Sequence, residues 1–376
     1  MFSIHIDTAL TWRGGQRQVW LTVLGLRARG LRAALVAHPR GELYRRASEG
    51  PDLYALAPKS EVDLHAAWRL SRLVRQLAPD VVHAHDAHAV AVTSLALSLG
   101  GELLAVRFAA SRRVDFHVRR NAFSRWKYRQ VDRFICASSA IRRILIDDGV
   151  PAPCTTVVHE GIDLDHIAAA PLLDVHREFW LPRGAPIVGN IAALVPHKGQ
   201  RYLIDAASRV VREVPDARFL IVGAGELQAN LTRQIKRLDL QRHVILTGFR
   251  PDVLSLLKGF DLFVMSSVTE GLGTSVLDAM ACGGAVVATR AGGIPESVVD
   301  GETGLLVPVR DPVRLAAAVV RLLGDQTLRR AYGDAGRERA RARFSAARMV
   351  DETVAVYADV VGRTPAADNA RLGVAD

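Results

Sequence analysis

The sequence predicts an α/β protein of two domains, each an open parallel sheet with helices between its strands. Three observations carry this. A chain of 376 residues is long for one domain and suits two of roughly 170 to 190. Short apolar runs alternate with stretches of helical period from the first residues onward. After a linker punctuated by proline and glycine, Pro171 to Pro186, the alternation restarts at Ile187. The expected domains are residues 1–172 and 173–344. A last helix at 345–361 packs back on the first domain, and a frayed tail covers 363–376.

In the first domain Ile4–Ile6 reads as a strand. Gly14-Gly15 forms a glycine loop, and a helix runs from about Gln16 to Arg29. Backbone N–H groups at such a loop suit a phosphate or a sugar. Ala33–Val36 is the next strand and Val62–Leu77 a helix. Asp80–Ala84 is a strand ending in His85 and Asp86, and ligands of open α/β sheets bind beyond the carboxyl ends of strands. His83 and His85, two apart, share a face; no cysteine or carboxylate cluster joins them as metal ligands. Leu103–Val106 reads as a strand running into Arg107. Arg112, Arg113, Arg119, Arg120, Arg125, Lys127, Arg129 and Arg133 follow, interleaved with Phe116, Phe123, Trp126 and Tyr128. Such a stretch fits single-stranded nucleic acid, an anionic membrane surface or a solvated helix face. Arg133–Cys136, with Ser138-Ser139 capping the next helix, and Thr155–Val158 complete the strands.

The second domain has strands at Ile187–Ile191, Phe219–Val222, His243–Leu246, Asp261–Met265 and Ala285–Ala288. Glycine turns follow three of them: Gly223 and Gly225, Glu270-Gly271-Leu272-Gly273-Thr274-Ser275, and Gly292-Gly293. The middle one leads into a helix with Val276, Leu277, Met280 and Ala281 on one side. A helix start offers unpaired N–H groups and partial positive charge. Thr274 and Ser275 suit a cap or a phosphate, and Glu270 and Asp278 bracket the turn with carboxylates able to hold hydroxyls.

Composition excludes several classes. Cys136, Cys154 and Cys282 form neither a disulfide framework nor a zinc pattern. No secretory leader and no run of about 18 apolar residues is present, so neither secretion nor a membrane span is expected. The net charge is +10, with 25 basic and 18 acidic residues up to Arg183 and 24 and 21 beyond it. This basic first half suits nucleic acid, an anionic membrane surface, an acidic substrate or solubility alone.

With Lys198-Gly199, Glu270, Gly271, Gly273, Asp278 and Gly292-Gly293-Ile294-Pro295-Glu296 in this order, the chain resembles the retaining family 4 glycosyltransferases of GT-B fold. The resemblance runs from Gly14 to about Arg343. It implies two facing Rossmann-like domains with parallel sheets and an interdomain cleft. It also implies transfer of a sugar from a nucleotide-diphosphate sugar to an acceptor hydroxyl, with no metal and no cofactor. By that resemblance Lys198 neutralises the donor diphosphate, together with the Gly273-Thr274-Ser275 helix start. Glu270 holds a donor sugar hydroxyl, Asp278 the ribose, and Gly14 and Gly15 close over the diphosphate. The Gly223 and Gly225 turn joins the donor site. Asp163-Leu164-Asp165 has metal-binding spacing but reads as structural.

Three positions depart from the family. Asp278 replaces the usual Glu, Ala192-Ala193 stands where Arg is common, and Arg107-Phe108 where His is common. Arg250 or an arginine of the first domain is a candidate substitute for the missing charge; Arg107, Arg112, Arg113 and His85 are candidates for the missing histidine. The expected function is retaining glycosyl transfer in lipopolysaccharide or other cell-envelope glycan synthesis. A glycan or lipid-linked acceptor is used at the cytoplasmic membrane face, without nucleic acid. The alternatives are another GT-B enzyme, such as an epimerase or a phosphorylase, and a degenerate nucleotide-sugar-binding protein.

Overall fold

Residues 1–101, 106–118 and 121–362 are described by a computed structural model of the chain. They form two compact units, one of residues 1–161 with the chain from Ala346 onward, the other Ile162–Ser345.

The first unit has seven strands: β1 (Phe2–Asp7), β2 (Arg32–Ala37), β3 (Leu53–Ala55), β4 (Val81–Ala84), β5 (Arg107–Arg112), β6 (Arg133–Cys136) and β7 (Thr155–Val157). Its helices are α1 (Gly14–Ala28), α2 (Glu42–Ala47), α3 (Leu64–Leu77), α4 (Ala87–Gly100), α5 (Ala122–Arg129) and α6 (Ser139–Asp147). All pairings are parallel, in the order β3-β2-β1-β4-β5-β6-β7. Residues alternate between faces, as pleating requires. Ile4, Ile6, Val82 and Phe108 pack against α3, α4 and α6. Val81, Ala109 and Ile135 pack against α1 on the other face.

The second unit opens with α7 (Leu164–Ala169) and α8 (Val175–Glu178). Its strands are β8 (Ile187–Ile191), β9 (Arg218–Val222), β10 (Val244–Gly248), β11 (Leu262–Met265), β12 (Val286–Thr289) and β13 (Leu305–Val307). Between and after them lie α9 (Gln200–Glu213), α10 (Gln228–Arg237), α11 (Val253–Lys258), α12 (Thr274–Ala281), α13 (Ile294–Ser297), α14 (Pro312–Gly324) and α15 (Gln326–Arg343). This sheet is also parallel, in the order β10-β9-β8-β11-β12-β13. In α9 the period of 3.6 buries Leu203, Ile204, Ala207 and Val210. The last helix, α16 (Ala346–Val361), belongs to the first unit, where Val350, Val356 and Tyr357 join α1 in the core.

Both sheets have the doubly wound order. The winding reverses between β1 and β4 in one and between β8 and β11 in the other, and ligands bind at such switch points, beyond the carboxyl ends of the strands.

Several expectations need correction. Of the Leu103–Val106 strand, residues 103–105 lie outside the described residues; the strand described is β5, so Arg107 opens a strand rather than following one. Residues 171–186 are not a bare linker: α8 lies there, and Val175 is buried in the core of the second unit. Gly14 and Gly15 form the first turn of α1, not a loop before it. The edge strands β3 and β13 were not anticipated. Each has three residues, too few for a period to show. Residues 363–376 lie outside the described residues.

Candidate active site

At the switch point of the second sheet, the chain leaving β8 makes a short 3-10 turn, Pro196–Lys198. The chain leaving β11 carries Glu270 into α12. These two connections bring together residues 72 apart. Lys198 Nζ lies 2.8 and 2.6 Å from the two carboxylate oxygens of Glu270. Ser267 Oγ donates to the same carboxylate at 2.9 Å. The pair is largely enclosed, Lys198 being 19% and Glu270 11% exposed. A charge-assisted pair of this kind is stronger than a surface ion pair.

Gly273 is the N-cap of α12 and supplies no side-chain cap. Thr274 and Ser275 are therefore the first two helical residues, so of their two expected roles, cap or phosphate ligand, the cap falls away. Their backbone N–H groups belong to the unbonded first turn, the end of the helix that attracts anions. A cation, a helix start and a carboxylate thus stand at one switch point. The first two suit a diphosphate and the third a sugar hydroxyl.

The remaining donor-side candidates have mixed surroundings. Asp278 sits on α12 and is buried. A side chain on Gly223 or Gly225 would stand 2.0 Å from the Ala192 carbonyl oxygen or 2.4 Å from that of Leu194. Both glycines therefore have a steric reason in the close approach of the backbone that follows β8. Arg250 is corrected as a stand-in for the missing arginine. Its guanidinium is held by Asp252 at 2.8 and 2.7 Å and by Glu178 at 2.7 Å. Asp163 caps α7, accepting from the His166 N–H at 3.0 Å.

The switch point of the first sheet is polar and buried. The parallel register sets His5 of β1 beside His83 of β4, and His85 follows on the same face. His5 Nδ1 lies 2.9 Å from His85 Nε2, and His83 bridges Tyr357 Oη at 2.5 Å and Ser111 Oγ at 2.8 Å. Burial lowers His5 to about 3, helped by Arg27 and Arg113; burial also holds His83 and His85 well below the usual imidazole range. Burial, then the neighbouring Asp86, raises Asp7 to about 6, against the Gln16 side-chain hydrogen bond. Asp86 is the N-cap of α4 and also accepts the Thr8 backbone N–H at 2.5 Å, tying the β1 loop to this corner.

Arg113 follows β5 at its carboxyl end. It donates to His85 Nδ1 at 3.2 and 3.3 Å and stands 3.6 Å from Glu160. The candidates for the missing histidine therefore separate. Arg113 and His85 meet at the ligand end of the sheet. Arg107 is at the amino end, 3.5 Å from Asp132, and is corrected as a site residue. His5 and Tyr357 were missed as partners of this corner. His5 had a visible signal, a polar residue inside an apolar strand; Tyr357, in the last helix, had none.

The family model for Glycosyltransferase Family 4 matches residues 12–166, and that for Glycosyl transferases group 1 matches residues 174–339. The chain belongs to glycosyltransferase family 4. The N-acetyl-alpha-D-glucosaminyl L-malate synthase of Bacillus anthracis is 27% identical to this glycosyltransferase over 315 residues, 82% of each chain. A GDP-mannose-dependent alpha-(1-6)-phosphatidylinositol monomannoside mannosyltransferase of Mycolicibacterium smegmatis is 38% identical over 187 residues. That match covers 47% of this chain and 49% of the relative. Among solved structures, Anabaena HepE in complex with UDP and glucose superposes with a TM-score of 0.82 at 22% identity, covering 96% of this chain and all of that one. That likeness establishes the GT-B fold.

Proposed function

We propose that this glycosyltransferase moves a sugar, with retention, from a nucleoside-diphosphate sugar to a hydroxyl of a glycan or lipid-linked acceptor in cell-envelope synthesis, without metal or cofactor. In the reaction, the bond from the anomeric carbon to the diphosphate oxygen breaks and its electron pair stays on the diphosphate. The acceptor oxygen bonds to that carbon, and its proton passes to the departing diphosphate oxygen. The observation that carries the reading is the Lys198–Glu270 pair beside the first turn of α12. Lys198 and the N–H groups of Thr274 and Ser275 take the growing charge on the leaving diphosphate, where preorganised donors count most. Glu270 takes a sugar hydroxyl and Asp278 the ribose, while Gly271, Gly273, Gly14 and Gly15 offer backbone close to the donor. Arg113 offers positive charge from the first unit. The Mycolicibacterium relative, named as a phosphatidylinositol monomannoside mannosyltransferase, supports a lipid-linked substrate.

Thermal-shift titration with UDP, GDP, ADP and CMP tests the donor site, since a ligand of the folded state raises its melting temperature. One diphosphate is expected to stabilise the protein. Glu270→Ala is expected to keep that shift and lose transfer by at least a hundredfold. Full transfer by the variant would overturn the assignment. Product anomeric configuration, read by NMR, tests retention.

The acceptor side points to an anionic membrane at the cytoplasmic face. Part of the basic stretch is committed elsewhere: Lys127 pairs with Glu61 at 2.7 Å and Arg133 with Asp359 at 2.8 Å. Instead α3 exposes Leu64 and Trp68 beside Arg69 and Arg72, with the Arg72 guanidinium over the Trp68 ring. Arginine beside exposed apolar side chains fits an anionic interface. Among the described residues no helix is long and apolar enough to cross a membrane. Co-sedimentation with anionic but not neutral vesicles is expected, weakened about tenfold in Trp68→Ala/Arg72→Ala; equal sedimentation with both vesicle types would exclude charge-directed contact.

A further inference from the structure

We propose that His85 and His5 are positioning residues for Arg113: a one-way hydrogen-bond chain, Arg113 to His85 to His5 to Ser3, holds the guanidinium at the carboxyl end of β5, where it meets negative charge on the substrates. The direction follows from donor chemistry. Arginine has N–H groups and no acceptor, so His85 Nδ1, 3.2 and 3.3 Å from the Arg113 terminal nitrogens, carries its lone pair. A neutral His85 then bears its proton on Nε2 and donates to His5 Nδ1 at 2.9 Å. A neutral His5 in turn bears its proton on Nε2 and donates to Ser3 Oγ at 3.0 Å. One cation at the end fixes both tautomers.

Neutrality is favoured independently, since burial and Arg113 itself both disfavour an imidazolium at either position. Glu160 stands on the Nε side of the guanidinium at 3.6 Å. Among the described residues, the hydrogen bonds of the guanidinium are those of its two terminal nitrogens to His85 Nδ1, and Glu160 adds an ion pair. N–H groups of the terminal nitrogens are left over for a substrate, and the side chain is 15% exposed. Pinning an arginine between an acceptor ring and a carboxylate restricts its rotamers before substrate arrives, the preorganisation that charge stabilisation requires.

The same three imidazoles, His5, His83 and His85, have ligand nitrogens all within 4.8 Å of one another, a spacing that also suits a metal ion. Every one of their ring nitrogens, however, already lies within hydrogen-bond distance of a partner. A metal would have to break the His5–His85 bond or displace Arg113, Ser3, Ser111 or Tyr357. The network therefore reads as a relay, not as a ligand set.

The proposal rests on the transferase reading for its kinetic consequence, and the test keeps the two apart. Long-range 15N–1H spectra of the histidine-labelled full chain are expected to show both His5 and His85 as neutral Nε2–H tautomers from pH 8 to pH 5. A proton on His85 Nδ1, or an imidazolium in this range, overturns the relay, as does a shift of these signals on adding one equivalent of zinc. This arm needs neither a variant nor activity. In donor hydrolysis and transfer assays, His85→Leu is expected to lower kcat at least tenfold with KM for the donor within twofold. His85→Asn, whose amide oxygen can replace Nδ1 as acceptor, should restore most of that loss. In an Arg113→Gln background His85→Leu should cost nothing further; additive losses overturn the positioning role. A wild type that turns over no nucleotide sugar, yet shows the fixed tautomers, would defeat the transferase reading and leave the relay standing.

Discussion

Lys198→Ala is expected to lower transfer by about 10²–10³-fold and to remove most of the stabilisation by the cognate nucleoside diphosphate. Two effects act together. The variant loses Lys198, the cation that the proposed reading sets against the diphosphate. It also strips Glu270 of its partner, leaving a carboxylate that is 11% exposed and held only by Ser267 at 2.9 Å among the bonds described. An uncompensated carboxylate beside an arriving diphosphate repels it; at an effective dielectric of about 20, like charges about 4 Å apart cost roughly 4 kcal/mol. The double variant Lys198→Ala/Glu270→Gln should therefore bind the diphosphate better than Lys198→Ala alone, while transfer stays low in both. Thermal shift and initial rates measure the two quantities separately. If the double variant binds no better than the single, Glu270 does not contribute that repulsion.

Gly292→Ala should destabilise the protein by about 2–4 kcal/mol and slow transfer at least tenfold, although residue 292 carries no chemistry. Gly292 has a φ of +50°, and a methyl group on it would stand 1.8 Å from the Glu270 carbonyl oxygen. The neighbouring Gly293 N–H donates to that same oxygen at 3.2 Å. The loop bearing Glu270 is thus seated on the backbone after β12, and a side chain there must move it. Displacing a catalytic group by about 1 Å can cost about 100-fold. Gly301→Ala provides the comparison: φ is +78° there, yet nothing lies within 4 Å of the added methyl. It should cost only the left-handed backbone penalty, about 1 kcal/mol. Urea unfolding of both variants decides the matter; equal losses would mean that the close approach to Glu270 is not tight.

Legibility in the sequence differed from element to element, for identifiable reasons. α9 was plain because Leu203, Ile204, Ala207 and Val210 repeat at helical spacing over a long segment. β11 and β12 were plain because buried parallel strands are nearly continuous apolar runs. β5 was placed too early: Phe108 is its one large apolar residue, and two arginines bound it, so hydrophobicity pointed upstream. That displacement carried Arg107 into the candidate site and obscured the fact that Arg113 marks the strand's carboxyl end. The segment 171–186 looked like a linker because its prolines and glycine mask α8, whose Val175 is buried among side chains far away in sequence.

By itself, the sequence determined what depends on neighbours along the chain. This includes the alternation of strand and helix, the glycine turns, the helix start after Gly273, and the residue types able to hold a diphosphate and a sugar hydroxyl. Only the tertiary structure decided what depends on strand order. Parallel strands joined by helices can be laid side by side in several orders without changing any local pattern. The order realised puts β8 beside β11, so that Lys198 meets Glu270 across 72 residues, and β1 beside β4, so that His5 meets His85 across 80. Pairings at such separations come from the packing of whole sheets, which no local run of residues encodes.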